Sequence, residues 1–170
     1  MEIEKSKRNL LIVDDEPEIV DILANFATRY GWTFETALDG EAALGLLQQF
    51  DFFAILSDIS MPKLTGIELL RHANTLKIAS PVIFLTAYDS SNQVKEALRL
   101  GAFDFLAKPF DREELATALA RAIEYGKRNL RLQLQVANLM ALQDDNEQYQ
   151  AESKMLGLLK ANHHPKKKTG

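Results

Sequence analysis

Leu11-Ile12-Val13-Asp14-Asp15-Glu16-Pro17 compresses the end of one element, a turn and the start of the next into a single short run. The aliphatic residues, with Leu10 before them, are apolar throughout, as in a strand covered on both faces. The acidic turn ends the strand. Pro17 then stands at a first helical position, where a missing N–H costs nothing. Ile19, Ile22, Leu23 and Phe26 follow at helical spacing. One strand feeds one helix, and the same unit recurs downstream.

Thr33 to Thr36, Phe52 to Leu56, Val82 to Leu85 and Phe103 to Leu106 read as further strands. Helix starts lie between them. Thr65 with Glu68 makes a capping box, with Leu64 and Leu69 placed as its hydrophobic staple. Ser90 with Gln93 makes another box, and Asp111 with Glu114, flanked by Phe110 and Leu115, a third. Strands and helices in strict alternation imply right-handed βαβ units around a parallel sheet. The expected fold is α/β: a doubly wound, five-stranded parallel sheet in the flavodoxin-like order 2-1-3-4-5, with helices on both faces and an extended C-terminal helix. In such sheets ligands bind outside the carboxyl ends of the strands, at the switch point between strands 1 and 3.

Composition narrows the class. The chain has 170 residues, 46% of them hydrophobic, which suits one domain of ordinary size and an extension. It contains no cysteine, so disulfide frameworks and thiolate metal sites are excluded. Met1 to Arg8 is charged, without the apolar segment of a signal peptide, and no apolar run approaches the roughly 18 residues of a membrane span. A cytoplasmic protein with no membrane contact is expected. Through Gly126 there are 12 Lys/Arg against 20 Asp/Glu, whereas the remainder carries 8 against 4. The acidic body argues against broad nucleic-acid binding by the main domain.

The strand ends carry the chemistry. Strand 1 ends in Asp14-Asp15, strand 3 in Asp58, strand 4 in Thr86 and strand 5 in Lys108-Pro109. The topology would bring three carboxylates, a hydroxyl and an ammonium to one crevice. Clustered carboxylates repel unless cations intervene. Lys108 supplies one positive charge, and a hard ion such as Mg²⁺ would supply more. A carboxylate beside both is a suitable nucleophile toward phosphorus. Each residue also has a plainer reading. Asp14-Asp15-Glu16-Pro17 fits an acidic capping turn, Asp58 and Thr86 fit caps, and Lys108 fits a solvated lysine before a proline. No glycine-rich phosphate-binding motif is present, and His72, His163 and His164 lack partners at metal-ligand spacing. Trp32, after Gly31, is expected to pack at the entry to strand 2.

The run from Leu11 to Pro17, the run Ser57-Asp58-Ile59-Ser60-Met61-Pro62 followed by Gly66, the pair Thr86-Ala87 and Lys108-Pro109-Phe110 resemble the receiver domains of two-component response regulators. The resemblance covers roughly residues 8 to 125. It implies that Asp58 is the phosphoacceptor, supplied by a phosphohistidine on a sensor histidine kinase or phosphotransfer protein. It further implies that Asp15, Asp58 and the backbone carbonyl of Ser60 touch Mg²⁺ directly, with Asp14 acting mainly through water, and that Lys108 pairs with the phosphoryl oxygens. By the same resemblance Lys108-Pro109 is cis, and Thr86 and Phe105 form the switch. Phe105 has no hydroxyl, so a signal relying on an exposed phenol there is lost; a plain core aromatic is its other reading. Ser60 and Tyr88 resemble positions that tune autodephosphorylation, and a bulky Tyr88 would shield the acyl phosphate from water.

The organisation read from the sequence is a receiver domain over 1–126, a helical, coiled-coil-like extension over 127–160 and a disordered basic tail over 161–170. Leu132, Val136 and Leu139 form one stripe, and Leu142, Tyr149 and Leu156 a second that reads as out of phase with it, like a coiled coil with a stammer. Homodimerisation through helix 5 and the tail is the expected use of that stripe. A segment that folds back or binds a partner helix is its alternative. Gly126 is a candidate helix stop. The function expected is a phosphorylation-activated response regulator, not an enzyme, whose signal leaves through helix 4, strand 5, helix 5 and the C-terminal helix. The alternative is a truncated N-terminal part of a DNA-binding or enzymatic response regulator. A phosphatase using an Asp nucleophile would want a second acid two residues on, where Ser60 stands.

Overall fold

The structure is a computed structural model that describes residues 6–87 and 91–161, with side chains for all of these except 91, 144–146 and 156–161. Ten elements alternate strictly: β1 (Ser6–Val13), α1 (Pro17–Arg29), β2 (Phe34–Ala37), α2 (Gly40–Gln49), β3 (Phe50–Asp58), α3 (Gly66–Thr75), β4 (Val82–Thr86), α4 (Ser91–Arg99), β5 (Asp104–Ala107) and α5 (Arg112–Ala161). The five strands form one parallel sheet in the order β2-β1-β3-β4-β5, as expected. The alternation of side chains along β1 divides the core. Leu10 and Ile12 pack with Leu23 and Ala27 of α1 and with Leu115, Leu119 and Ile123 of α5. Leu11 and Val13 face the opposite layer, with Ala43 and Leu47 of α2, Ile67 and Leu70 of α3 and Ala97 of α4. Both faces of β1 are therefore dry, which is why its second half carries no polar residue.

β1 and β3 extend further toward their N-termini than the apolar runs reach. Ser6, Lys7 and Arg8 pair with Phe50, Asp51 and Phe52. Arg8 makes the polar start tolerable: its Nε donates to Glu35 at 2.9 Å, and its guanidinium lies 4.8 Å from the centroid of the Phe50 ring.

The helix starts follow local chemistry. Pro17 occupies the first turn of α1. The Thr65–Glu68 capping box opens α3, and Leu64 packs against the core cluster to which Leu69 belongs. At α5 the Asp111 carboxylate accepts from the backbone amides of Glu113 and Glu114. Asp39 caps α2 by accepting from Ala42, and also pairs with Lys63 at 3.0 Å. The proposed Ser90–Gln93 box falls on Ser90, outside the described residues.

Helix α5 does not stop at Gly126. That glycine is buried where the helix crosses β3, and a Cβ there would sit 1.8 Å from the Phe53 carbonyl oxygen. The chain divides into two units, Met1–Leu130 and Arg131–Gly170. In the second, Leu132, Leu134, Val136, Leu139, Met140, Leu142, Tyr149 and Met155 are exposed. Leu132, Val136 and Leu139 are spaced by four and three residues, and Leu142 and Tyr149, seven apart, belong to the second stripe. Residues 162–170, including His163 and His164, lie outside the described residues. Among the described residues, no helix is long and apolar enough to cross a membrane.

Candidate functional site

The carboxyl ends of β1, β3, β4 and β5 meet at a cleft of about 410 Å³ lined by Asp15, Glu16, Asp58, Ser60, Thr86, Gln93 and Lys108, among others. Lys108 links the strands. Its Nζ lies 2.7 Å from Asp14 Oδ2 and 2.9 Å from Asp58 Oδ1, with Glu16 Oε1 at 3.6 Å. Asp14 is fully buried and both of its oxygens are engaged, since Oδ1 accepts from the Glu16 amide at 3.0 Å. Asp58 is 8% exposed, and its Oδ2 accepts from the Ser60 amide at 2.9 Å. The Lys108–Pro109 peptide is cis.

The backbone around Asp58 is held by Gly66. A Cβ at Gly66 would lie 2.2 Å from the Asp58 carbonyl oxygen, and the Gly66 amide donates to the Ile59 carbonyl at 2.9 Å. Only a glycine lets the β3–α3 connection fold so closely over the Asp58 backbone. Ser57 below it donates its hydroxyl to the Asp58 carbonyl at 2.9 Å.

Burial raises the Asp58 carboxyl above the usual carboxylate range, and the charge of Asp14 adds to the effect. The hydrogen bond and charge of Lys108 and the Ser60 amide offset only part of it. For Lys108, burial lowers the ammonium, but the hydrogen bonds and charges of Asp14 and Asp58 outweigh it and hold the group above its ordinary value. The cleft thus contains a protonated lysine beside a carboxylate that is under-compensated.

That imbalance favours a further cation. Among the described residues, no group of three or more His, Cys, Asp or Glu side chains is by itself arranged to hold a metal ion. The available donors are the exposed Asp15 carboxylate, Asp58 and the Ser60 carbonyl, all hard oxygens, with Asp14 already committed to Lys108 and the Glu16 amide. Two carboxylates and a carbonyl suit an ion that keeps several waters, as Mg²⁺ does.

Thr86 lines the cleft and donates its hydroxyl to the Ala87 carbonyl at 2.9 Å. Phe105 pairs with Phe84 in the sheet register, half-buried, with the two ring centroids 5.9 Å apart. Tyr88 lies outside the described residues. His72 is exposed on α3, its Nδ1 2.8 Å from the Glu68 carbonyl. Trp32 stacks on Tyr30 at 5.0 Å and packs beside the α1/α5 layer, at the entry to β2.

Two polar cleft residues are not marked as such by the sequence. It presents Glu16 as part of a capping turn, although a third acid in the run is an available signal, and Gln93 only as a capping partner; the fold brings both to the cleft.

The family described as response regulator receiver domain matches residues 10–120. Among curated relatives, the regulatory protein AtoC of Escherichia coli K12 is 37% identical over 115 residues, 68% of this chain and 25% of that protein. The alkaline phosphatase synthesis transcriptional regulatory protein PhoP of Bacillus subtilis is 32% identical over 158 residues, 87% of this chain and 66% of its own. Among solved structures, FixJ-N aligns with a TM-score of 0.64 at 31% identity, covering 72% of this chain and 97% of the other. The chemotaxis protein CheY4 of Vibrio cholerae aligns with a TM-score of 0.63 at 32% identity, covering 69% and 98%. The chain spans between 25% and 66% of the length of the curated relatives it matches here.

Proposed function

Because the chain belongs to the response regulator receiver domain family, we propose that it is a phosphorylation-controlled switch in which Asp58 accepts a phosphoryl group. The observation that carries this reading is the Lys108 ammonium, within 2.9 Å of Asp58 and 2.7 Å of Asp14. An Asp58 oxygen attacks the phosphorus of a phosphohistidine on a sensor kinase or phosphotransfer protein. The P–N bond breaks, the imidazole leaves with its electron pair, and an acyl phosphate forms on Asp58. Lys108 turns from the carboxylate to the incoming phosphoryl oxygens, while the Ser60 amide keeps the carboxyl oriented. Asp15, Asp58 and the Ser60 carbonyl are the residues that would hold Mg²⁺, which when bound supplies positive charge to the transferring oxygens.

Thr86, whose hydroxyl is satisfied locally by Ala87, is the group that reorients toward the phosphoryl oxygens, and Phe105 fills the space it leaves. Tyr88 and Ser60 tune the lifetime of the acyl phosphate. The signal leaves through the α4, β5 and α5 surface and through the exposed apolar positions after Leu130, which pair two copies of the chain. A cytoplasmic setting and a protein rather than nucleic-acid partner fit this reading. The alternative, an N-terminal part of a longer DNA-binding or enzymatic response regulator, is distinguished by native mass against the reading frame.

The test is intact mass after incubation with a small phosphodonor, with and without Mg²⁺, on wild type and Asp58→Ala. One phosphoryl gain requiring both Mg²⁺ and Asp58 is expected. No gain under any condition overturns the reading.

A further inference from the structure

Hydrolysis is the reverse hazard of any acyl phosphate: a water oxygen attacks phosphorus, the bond to the Asp58 oxygen breaks, and inorganic phosphate leaves with the carboxylate restored. The rate depends on whether a side chain holds that water in line. Most polar groups of the cleft are already committed. Both Asp14 oxygens are bonded, Lys108 is shared between Asp14 and Asp58, and Thr86 donates to Ala87. Glu16 offers only a carboxylate, 3.6 Å from Lys108, and a carboxylate would repel the phosphoryl oxygens it faced.

Gln93 differs from all of these. It lines the same cleft from the first turn of α4, half-buried, and its carboxamide bonds to no other side chain or backbone group among the described residues. A carboxamide accepts through Oε1 and donates through Nε2 while remaining neutral. It can therefore accept from a water and donate to a phosphoryl oxygen at once, without repelling either. A glutamine that orients an attacking water is a recurrent arrangement in phosphoryl transfer to water.

We propose that the Gln93 carboxamide positions the water that hydrolyses the Asp58 acyl phosphate, so that Gln93 sets how long the switch stays on. The inference rests on the reading of Asp58 as phosphoacceptor and adds a residue that reading does not use. Gln93 remains neutral throughout. The water gives one proton to the departing phosphate, and the electron pair of the broken bond stays on the Asp58 oxygen.

The experiment loads the full chain with a small phosphodonor and Mg²⁺, removes the donor, and follows loss of the phosphoryl group by intact mass. Wild type is compared with Gln93→Ala, which removes the amide, and Gln93→Leu, which keeps its bulk. Decay about tenfold slower in both variants, with a single phosphoryl group still taken up, is the expected result. Unchanged decay in both would leave Gln93 as a helix cap and overturn the proposal. Faster decay in Gln93→Ala with slower decay in Gln93→Leu would make it a shield and overturn it too. A parallel fall in uptake and decay would mark general damage to the cleft and also counts against it. If wild type takes up no phosphoryl group, the reading of Asp58 itself fails, an outcome separate from the others.

Discussion

Gly126 sits against the Phe53 backbone so closely that a Cβ would come within 1.8 Å of the Phe53 carbonyl oxygen and 2.7 Å of the carbonyl carbon. Two effects oppose each other when this residue is changed. Gly→Ala in a helix interior gains about 1 kcal/mol of helix propensity. Inserting a methyl group against backbone that cannot rotate aside costs more, because α5 would have to move off β3. Gly126→Ala is therefore predicted to lower stability by a net ~1–3 kcal/mol. Thermal unfolding measures it, and a raised melting temperature would refute this account of the glycine.

Lys108 neutralises two buried carboxylates, and losing it leaves both uncompensated. Lys108→Met should destabilise the domain by roughly 2–4 kcal/mol, somewhat below the cost for a wholly buried pair because the Lys108 side chain is 20% exposed. Mg²⁺ should recover part of that loss, and should raise the melting temperature of the variant more than that of wild type. Equal responses to Mg²⁺ would argue against a cation site at Asp15, Asp58 and the Ser60 carbonyl.

The raised Asp58 carboxyl makes a stability prediction with a definite sign. A folded state that holds the proton more tightly than the unfolded chain is penalised when that proton leaves. The penalty begins as pH rises through the unfolded value of about 4 and is complete above the folded value. Asp58→Asn, neutral and of the same shape, should therefore be more stable than wild type at neutral pH, by about 1 kcal/mol. The advantage should shrink as pH falls toward 4. Lys108 behaves oppositely: its raised value stabilises the fold below about pH 10.4 and is lost as pH rises through the folded value. Melting temperatures across pH would test both signs.

The exposed apolar positions beyond Leu130 predict association. Leu139 and Leu142 lie three residues apart, on one side of the helix, and are 66% and 65% exposed. In sedimentation, the wild-type chain should be a dimer, and Leu139→Lys with Leu142→Lys should be a monomer that still takes up one phosphoryl group. An unchanged mass in the double variant would exclude this seam.

The fold was legible where both faces of a strand are dry and hidden where they are not. Leu10 to Val13 and Ala54 to Leu56 could be read as buried strands because no polar residue interrupts them. Ser6 to Arg8 could not, because their pairing is sustained by Arg8 reaching Glu35 and Phe50, contacts that have no local signature. Gly126 was ambiguous for a similar reason. A helix stop and a close helix–strand approach both call for glycine, and only the neighbouring Phe53 carbonyl separates them. The Lys108–Asp14 contact spans 94 residues, yet topology alone brings their strand ends together. Gln93 lies off any strand end, so nothing in the sequence pointed from it to the cleft.

The most direct measurement is chemical trapping of the modified residue. The chain is incubated with a small phosphodonor and Mg²⁺, treated with borohydride to reduce any acyl phosphate to the alcohol, and digested for peptide mass mapping. Conversion of Asp58 alone to homoserine is the predicted result. Reduction at Asp14 or Asp15 instead, or no reduced residue in a chain that has gained phosphate, would contradict the assignment of Asp58.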